Sequence, residues 1–485
     1  MDTNRIDTRT KWSYCVGATG RDMAYTLVSL YLITYIQYTM KLTVAQFSVI
    51  SACVVLCLIW DAINDPLMGI IIENFHFKSG KFKPWIFTGV LLNAVIIVLL
   101  FSLRPQGWAF VAFFGISYLL WGMTYTMNDI AYWGMLPSLS SDPQTRNSLV
   151  TLMSIFICIG QFSVAGILPT LVAGNAVRAY RYAALIVALC FIAFQMLTCF
   201  GVRERPVRAA SEKLSLRKMF GIFRRNDQLI AIGIGSFLFN VGNGLLIVFA
   251  VNFFYFEFGY AEGGRLVFIF TVMYGLGTLV SQACYSSLSR KFSRKSLLKI
   301  CIAVITVCYV LLLLFGYATP KNIILLNAIG FVIFFFQGLW NLMVIVMLNN
   351  TIEYDEYKFS ERHDSVIAAI RSFSVKLSGA VNQGISASVL IISGIYTASQ
   401  KISQLEIEAG KGNISGNTVL QQADNFIRAV LPYQTFLLRI GMVLFPLLAF
   451  CGCYLLVKTK YKIDEKEYIR IVGEIEKRRE TEQQN

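Results

Sequence analysis

The stretch WDAINDP, residues 60–66, lies inside an apolar run that extends from about residue 44 to residue 72. Asp61 and Asp65 are four residues apart, so a helix places both carboxylates on one face, with Asn64 on the same side. An unpaired carboxylate is costly at the depth of a bilayer core. Two carboxylates and an amide offer only hard oxygen ligands, which suit a small cation. We predict a membrane helix with a cation site; a structural ion pair with a neighbouring helix is the alternative.

The rest of the chain has the same apolar character. Of its 485 residues, 56% are hydrophobic, and the mean hydropathy is +0.60, which is too apolar for a soluble protein. Runs long enough to cross a bilayer recur about twelve times. We predict an all-α membrane protein with twelve transmembrane helices in two six-helix halves. The predicted divisions are an N-terminal half (1–201), a basic middle loop (202–227), a C-terminal half (228–457) and a charged tail (458–485).

The net charge of +15 is distributed unevenly along the chain. If both termini are cytoplasmic, most Lys and Arg residues fall in the N-terminus, the even-numbered loops and the tail, as the positive-inside rule requires. This pattern predicts a multi-pass protein of the bacterial cytoplasmic (inner) membrane and argues against a nucleic-acid-binding surface. The longest outside loop is predicted at about 398–428, and the tail is predicted to be a short solvated helix.

A second group of polar residues lies within the predicted helices of the first half. Asp129 and Trp133 are four apart on one helix, and Arg21-Asp22 lies near the start of the first helix. A carboxylate accepts hydroxyl hydrogen bonds and an indole covers an apolar ring face, so the pair is suited to holding a sugar. An interfacial anchor is the alternative for Trp133, and snorkelling to the interface is the alternative for Arg21.

Basic side chains, among them Arg371 and Lys376, dominate the charges within the predicted helices of the second half. Lys376 is a candidate partner for the acidic groups, because opposite charges neutralise each other in a medium of low dielectric constant. Thr126 is a candidate hydroxyl ligand for the cation, and a proton could replace the cation because repulsion between adjacent carboxylates raises one pKa. Three charged residues, Arg146, Glu353 and Arg362, lie near predicted cytoplasmic helix ends. They could form an inner gate, or a solvated cluster without a gating role.

Enzymatic and ATP-driven functions find no support in the sequence. Only two His are present, and no glycine-rich phosphate loop is found. We therefore predict a protein that is not an enzyme, that needs no cofactor and that draws on an ion gradient or on the gradient of its own substrate.

Five motifs occur in order along most of the chain, at residues 60–66, 80–85, 121–126, 225–229 and 353–358. At these positions the sequence resembles the glycoside-pentoside-hexuronide:cation symporters, the melibiose permease-like family of the major facilitator superfamily. The resemblance implies the major facilitator fold and the import of a glycoside with Na⁺, Li⁺ or H⁺ by alternating access.

The resemblance also implies roles for particular residues. The cation ligands it implies are Asp61, Asn64, Asp65 and Thr126, with Asp61 and Asp65 as the Na⁺ ligands if the protein is coupled to sodium. The substrate-binding residues it implies are Arg21, Asp22, Asp129, Trp133, Ser372 and Lys376. The gating residues it implies are Arg146 and Glu353, beside Arg362. The chain departs from the family at Ser154, where a sugar-binding arginine is expected.

The predicted partners are a small glycoside, a monovalent cation and the lipid bilayer, with the protein as a monomer. A sugar-phosphotransferase regulatory protein at the cytoplasmic face is a weaker candidate. Three alternatives stay open: a transporter of the same fold for a non-sugar solute such as a lysolipid or organic anion, an uncoupled facilitator, and a sugar sensor.

Overall fold

The computed structural model describes residues 6–75, 77, 80–140, 142–204, 216–319, 321–360 and 364–484. The described chain is almost entirely helical. Its long helices are α1 (Thr8–Thr39), α2 (Val44–Asn74), α3 (Lys83–Ser102), α4 (Trp108–Leu139), α5 (Pro143–Val172), α6 (Ala176–Gly201), α8 (Asp227–Phe258), α9 (Tyr260–Lys291), α10 (Arg294–Leu314), α11 (Ile323–Phe359), α12 (Asp364–Ile392) and α15 (Pro432–Lys460). Shorter or more polar helices are α7 (Leu216–Arg225), α13 (Ile395–Lys411), α14 (Gly416–Arg428) and α16 (Glu465–Gln484).

Within the described residues, 11 helices are long and apolar enough to cross a membrane. The remaining long helix is α1, which has 32 residues and therefore the length to span. Its polar residues include Arg21 and Asp22, which are only 3% and 5% exposed, so they face protein rather than the surroundings. The predicted all-α membrane class is confirmed, and the predicted set of twelve transmembrane helices is consistent with this arrangement.

Local sequence signals explain where helices begin. Thr43 precedes α2, and its side chain accepts a hydrogen bond from the Gln46 amide while the Gln46 side chain accepts one from the Thr43 amide. This capping box satisfies two amide donors that a helix start leaves without partners. Ser293 caps α10 in a related way, by accepting from the amide of Ser296.

The segment predicted as an outside loop, at about 398–428, is helical in the structure. It contains most of α13 and all of α14. Gly394 and Gly412 flank α13 with φ angles of 75° and 85°, a left-handed conformation that glycine adopts without steric cost. The predicted helix in the charged tail is present as α16, and Ile471 and Ile475 bury one side of it.

The chain divides into two compact units. The first contains described residues of Met1–Glu212, Ala250–Thr271 and Ala387–Phe436. In it α1 packs against α5 and α6, and α4 packs against α2 and α3. The second contains described residues of Lys213–Phe249, Val272–Ser386 and Leu437–Asn485, and in it α11 packs against α10 and α16. The predicted division into halves with a middle loop and a tail stays a prediction.

Candidate functional site

The two acidic residues of the α2 motif face α4 in the first unit. A Cβ atom added at Gly122 would lie 2.7 Å from Oδ1 of Asp61, so the absence of a side chain at Gly122 is what lets the Asp61 carboxylate approach α4. One turn further on, Thr126 Oγ1 donates a hydrogen bond to Oδ1 of Asp65, at 3.1 Å. Asp61 and Asp65 are four residues apart on α2, and Gly122 and Thr126 are four residues apart on α4. The two helices therefore contact each other over two successive turns.

This contact region is mostly buried. Asp61 is 7% exposed, Asn64 is 9% exposed and Thr126 is 3% exposed, while Asp65 is half-buried. The oxygen donors available there are two carboxylates, an amide and a hydroxyl. Among the described residues, no group of three or more His, Cys, Asp or Glu side chains is arranged to hold a metal ion. A donor set with two carboxylates and neutral oxygens is compatible with a small cation.

A second charged cluster joins α1 to α4. The guanidinium of Arg21 donates to Oδ2 of Asp22 at 2.7 Å and lies 3.1 Å from Oδ1 of Asp129. It also lies over the rings of Tyr132 and Trp133, at 4.8 Å and 5.4 Å from their centroids. The Arg21 side chain is almost fully buried, whereas that of Asp129 is 30% exposed. One arginine therefore neutralises two carboxylates, and one of those carboxylates is accessible.

A residue of α5, Gln161, belongs to this cluster although it was not predicted as a site residue. Gln161 donates to Oδ1 of Asp22 at 3.1 Å, so the Asp22 carboxylate has polar partners on both oxygens. The hydroxyl of Ser154, at the position where the family resemblance implies an arginine, donates to the Val150 carbonyl of its own helix at 2.8 Å. The only signal for Gln161 was an amide within the apolar run that forms α5.

Aromatic rings line α4 on the same stretch. The ring of Tyr25 on α1 lies 5.3 Å from that of Tyr125 and 6.4 Å from that of Trp121. The rings of Trp121 and Tyr125 are stacked at 5.7 Å. Tyr25 is 38% exposed and Trp133 is 39% exposed, so both present ring surface beside the Arg21 cluster. Such faces can cover the apolar side of a sugar ring.

Several contacts hold α4 in place. The rings of Tyr14 on α1 and Tyr132 on α4 are stacked at 4.6 Å, and each hydroxyl donates to the backbone carbonyl of the other residue. On the opposite side, the Asn128 amide donates to the Ile86 carbonyl of α3 at 3.1 Å. Buried polar groups in a well-packed region have few alternative partners. These bonds therefore fix the position of α4 along its axis relative to α1 and α3.

The other predicted site residues are on other helices. Ser372 and Lys376 are on α12 and Glu353 is on α11, all in the second unit, whereas Arg146 is on α5 in the first unit. Arg362 lies outside the described residues. The predicted gate pair, and the predicted link from Lys376 to the α2 carboxylates, stay predictions.

The first unit also contains two acidic residues at helix starts, Glu406 and Asp424, that no sequence pattern indicated. Glu406 on α13 is fully buried. Its carboxylate accepts from the amides of Gly174 and Ala176, each at 2.7 Å, and from the Tyr260 hydroxyl at 2.8 Å. Burial raises the pKa of Glu406, and the donated hydrogen bonds lower it by less. Asp424 on α14 accepts from the Tyr260 amide at 2.6 Å. The two carboxylates therefore cap the N-termini of α6 and α9.

Further hydrogen bonds join the end of α1 to the same region. The Gln37 amide donates to Oδ1 of Asn252 on α8 at 2.8 Å, and the Tyr38 hydroxyl donates to the same oxygen at 2.8 Å. Gln400 on α13 donates to the Gln37 carbonyl at 3.1 Å, and Ser403 donates to the Met40 carbonyl at 3.0 Å. The segment that contains α13 is thus bonded to the helices of the N-terminal part of the chain.

Long apolar helices that enclose buried charged clusters define a polytopic membrane protein. The fold is shared with a solved bacterial homologue of the human lysosomal transporter Spinster, with a TM-score of 0.62 at 11% identity over 93% of this chain and 96% of that one. It is also shared with a D-xylose-proton symporter, with a TM-score of 0.57 at 15% identity over 88% of this chain and 98% of that one. The chain belongs to the family described as MFS/sugar transport protein, whose model matches residues 13–465.

Named relatives are similar over much of the chain. A lactose permease from Lactobacillus helveticus is 28% identical over 79% of this chain, which spans 62% of the length of that permease. A lactose permease from Leuconostoc lactis is 26% identical over 96% of this chain and 71% of its own. A glucuronide carrier protein homolog from Escherichia coli K12 is 23% identical over 99% of this chain and 98% of its own.

Proposed function

We propose that this protein is a secondary active transporter that imports a glycoside together with a monovalent cation, Na⁺, Li⁺ or H⁺, by alternating access. The observation that carries the proposal is the position of α4. Thr126 on this helix hydrogen-bonds Asp65, and Asp129, less than one turn away, contacts Arg21. One rigid helix therefore belongs to both the cation cluster and the polar cluster that would hold the sugar. The names of the relatives, permeases and carriers rather than enzymes, support the same proposal.

The cation would bind between α2 and α4. Its ligands would be oxygen atoms of Asp61, Asn64, Asp65 and Thr126. Two carboxylates at membrane depth repel each other and lack bulk water. A bound cation, or a proton on one carboxylate, therefore lowers the electrostatic free energy of this site by more than it would lower that of two carboxylates in solution. This chemistry favours a monovalent ion over a soft transition metal, which prefers sulfur or imidazole ligands.

The glycoside would bind beside α1 and α4. Its hydroxyls would replace part of the ion pair between Arg21 and Asp129, since a guanidinium donates two hydrogen bonds in one plane and a carboxylate accepts several. Asp22 would keep Arg21 oriented, and the exposed face of Trp133 would cover the sugar ring. In the proposal Ser372 and Lys376 on α12 complete the site from the second half.

Transport would require the site to open to each side of the membrane in turn. In the proposal the gating residues are Arg146, Glu353 and Arg362. We place the protein in the bacterial cytoplasmic membrane with both termini cytoplasmic, because that orientation puts most basic loops inside. We further propose that it works as a monomer. A phosphotransferase regulatory protein that docks on the cytoplasmic face would be its regulator.

Thermal stabilisation of the purified protein tests the proposal. Galactosides, xylosides and glucuronides would be screened with Na⁺, with Li⁺, at acid pH and without either metal ion. We expect one class of glycoside to raise the melting temperature, and one cation to enlarge that shift. In Asp65→Asn the cation should no longer enlarge the shift in melting temperature that the glycoside causes, because the substitution removes a charged ligand. The matched control is Glu262→Gln, which changes an exposed carboxylate that pairs with the nearby, also exposed, Arg265.

Two results would count against the proposal. If folded protein responds to no glycoside under any cation condition, the transported solute is not a glycoside. If a glycoside stabilises the protein equally with every cation and in Asp65→Asn, sugar binding is uncoupled from the α2 cluster.

A further inference from the structure

A cavity of about 190 Å³ opens in the second unit, and none of the residues that line it belongs to the clusters described above. It lies between the first turns of α10, the last turns of α15 and the short connection from α15 to α16. Since α10 begins and α15 ends here, the cavity is at one end of two membrane-spanning helices. Arg294, Lys295 and Lys458 lie at this end, which the positive-inside rule predicts to be the cytoplasmic one.

Cationic side chains surround the mouth of the cavity. Lys295 and Lys299 are four residues apart on α10, and Lys458 follows Tyr454 by four residues on α15, so each pair lies on one helix face. Lys299 and Lys458 are exposed, and neither forms an ion pair among the described residues. The Lys458 ammonium lies 5.8 Å from the centre of the Tyr454 ring. Two ammonium groups are therefore available at the mouth.

The remaining charges are partly neutralised. Arg294 lies 3.5 Å from Glu465, and Lys295 lies 3.1 Å from Asp464. The cavity thus has four cationic side chains against two carboxylates. This excess of positive charge matches a phosphate group, and the two paired residues are held in place by α16 and its preceding connection.

The wall of the cavity is apolar. Leu298, Met347, Val457 and Ile463 line it and are all buried. Beside it, the side chain of Leu455 is 56% exposed, as is expected for a residue that faces lipid tails. A soluble anion gains nothing from such a wall, whereas the glycerol backbone and upper acyl chain of a lipid bury apolar surface against it.

We propose that this cavity is a binding site for the phosphate headgroup of an anionic phospholipid. Lys299 and Lys458 contact the phosphate, Arg294 and Lys295 complete the positive field, and the apolar wall holds the lipid below its headgroup. The proposal is independent of the transport proposal, because it uses no residue of the cation or glycoside clusters.

Native mass spectrometry of the detergent-purified protein tests this site. Phosphatidylglycerol, phosphatidylcholine and inorganic phosphate would be titrated separately onto wild type and onto the double variant Lys299→Gln, Lys458→Gln. We expect phosphatidylglycerol to bind the wild type at a defined stoichiometry and to bind the double variant about tenfold or more weakly, since each lysine near an anionic lipid contributes appreciably. Melting temperatures without lipid would establish that the variant is folded.

The matched control is Lys291→Gln, Lys460→Gln. Both of these lysines are exposed near the same helix ends but do not line the cavity, so this variant should bind phosphatidylglycerol as wild type does. Equal losses in both double variants would show that only the general charge of this face matters and would overturn the proposal. Equal binding of phosphatidylcholine would also overturn it. If inorganic phosphate at millimolar concentration bound the wild type as well as phosphatidylglycerol does, the cavity would be a site for a soluble anion and the proposal would be overturned.

Discussion

At the scale of single residues, the approach of the Asp61 carboxylate to α4 depends on the absence of a side chain at Gly122. Gly122 leaves room for the Asp61 carboxylate, whereas Gly115, two turns earlier on α4, has only the Cys53 sulfur at 3.7 Å from where a Cβ would be. The two glycines thus lie on the same helix, and both face α2. They differ in that only Gly122 is in contact with a charged group.

Gly122→Ala should therefore displace Asp61, while Gly115→Ala should be tolerated. Overpacking of this kind costs about 1–3 kcal/mol of folding free energy, and at Gly122 the displacement also changes the proposed cation site. We expect Gly122→Ala to lose most of the cation-dependent shift in melting temperature. Gly115→Ala should keep the shift and be neutral or slightly stabilising, because alanine favours helix formation. Equal cation responses in the two variants would contradict this role for Gly122.

The hydroxyl of Thr126 is the second residue-scale contact. Thr126→Val keeps the shape of the side chain but leaves Asp65 without this donor. The variant also removes a neutral oxygen ligand from the proposed cation site, so we expect the apparent cation affinity to fall by roughly tenfold, or about 1.4 kcal/mol. Thr126→Ser keeps a hydroxyl at this position and should therefore retain most of the cation affinity of the wild type. Cation titrations followed by intrinsic fluorescence provide the measurement, and a Thr126→Val protein with unchanged affinity would exclude Thr126 as a ligand or positioning group.

At the scale of elements, α13 connects parts of the first unit that are distant in sequence. Its residue Glu406 caps the start of α6 and bonds the side chain of Tyr260 at the start of α9. The carboxylate complements the partial positive charge of the α6 N-terminus. An insertion of two amphipathic helices between α12 and α15 thereby stabilises the first unit, although it lies far along the chain from α1 to α6.

Glu406→Ala should strongly destabilise the protein. It leaves the amides of Gly174 and Ala176 and the hydroxyl of Tyr260 buried without their acceptor, at about 1–3 kcal/mol for each group. The matched control is Glu408→Ala on the same helix, whose carboxylate pairs at the surface with Lys411. We expect a large fall in melting temperature for the first variant and almost none for the second. Similar melting temperatures would mean that water replaces the Glu406 carboxylate.

The pH dependence of stability should also report on Glu406. Because burial raises its pKa in the folded protein, the folded state takes up this proton at a higher pH than the unfolded state does. The resulting stabilisation is fully present below the unfolded pKa, near 4.3, and is lost as the pH rises through the folded pKa. Glu406→Gln cannot titrate. The melting temperature of wild type minus that of Glu406→Gln should therefore rise on acidification from neutral pH, and a difference that falls would show that the hydrogen bonds outweigh burial.

At the scale of the whole molecule, the proposed coupling has a quantitative consequence. If α4 links the cation and glycoside sites, the factor by which the cation raises glycoside affinity must equal the factor by which the glycoside raises cation affinity. Isothermal titration of each ligand with and without the other would give both factors. We expect equal factors in wild type and factors near one in Asp65→Asn. If neither ligand changed the affinity of the wild type for the other, α4 would have no coupling role.

Much of this molecule could be read from its sequence. The membrane class and the helix positions follow from long apolar runs, because a bilayer imposes a minimum length of apolar helix on any chain that crosses it. The acidic candidates Asp61, Asp65 and Asp129 were also visible, since a carboxylate is conspicuous in an apolar run. The family match over residues 13–465 confirms the resemblance drawn from the short motifs.

Other features depended on the tertiary structure. Gln161 and Gly122 are neutral residues whose importance comes only from which helix packs against them, and helix spacing within a single segment cannot reveal a neighbour from another segment. The segment that forms α13 and α14 is polar enough to resemble a loop, and its helices are stabilised by contacts with α1, α6 and α9. The sequence therefore determined where the helices and charges are, whereas packing between distant segments decided which charges meet, because those contacts depend on the relative positions of whole helices.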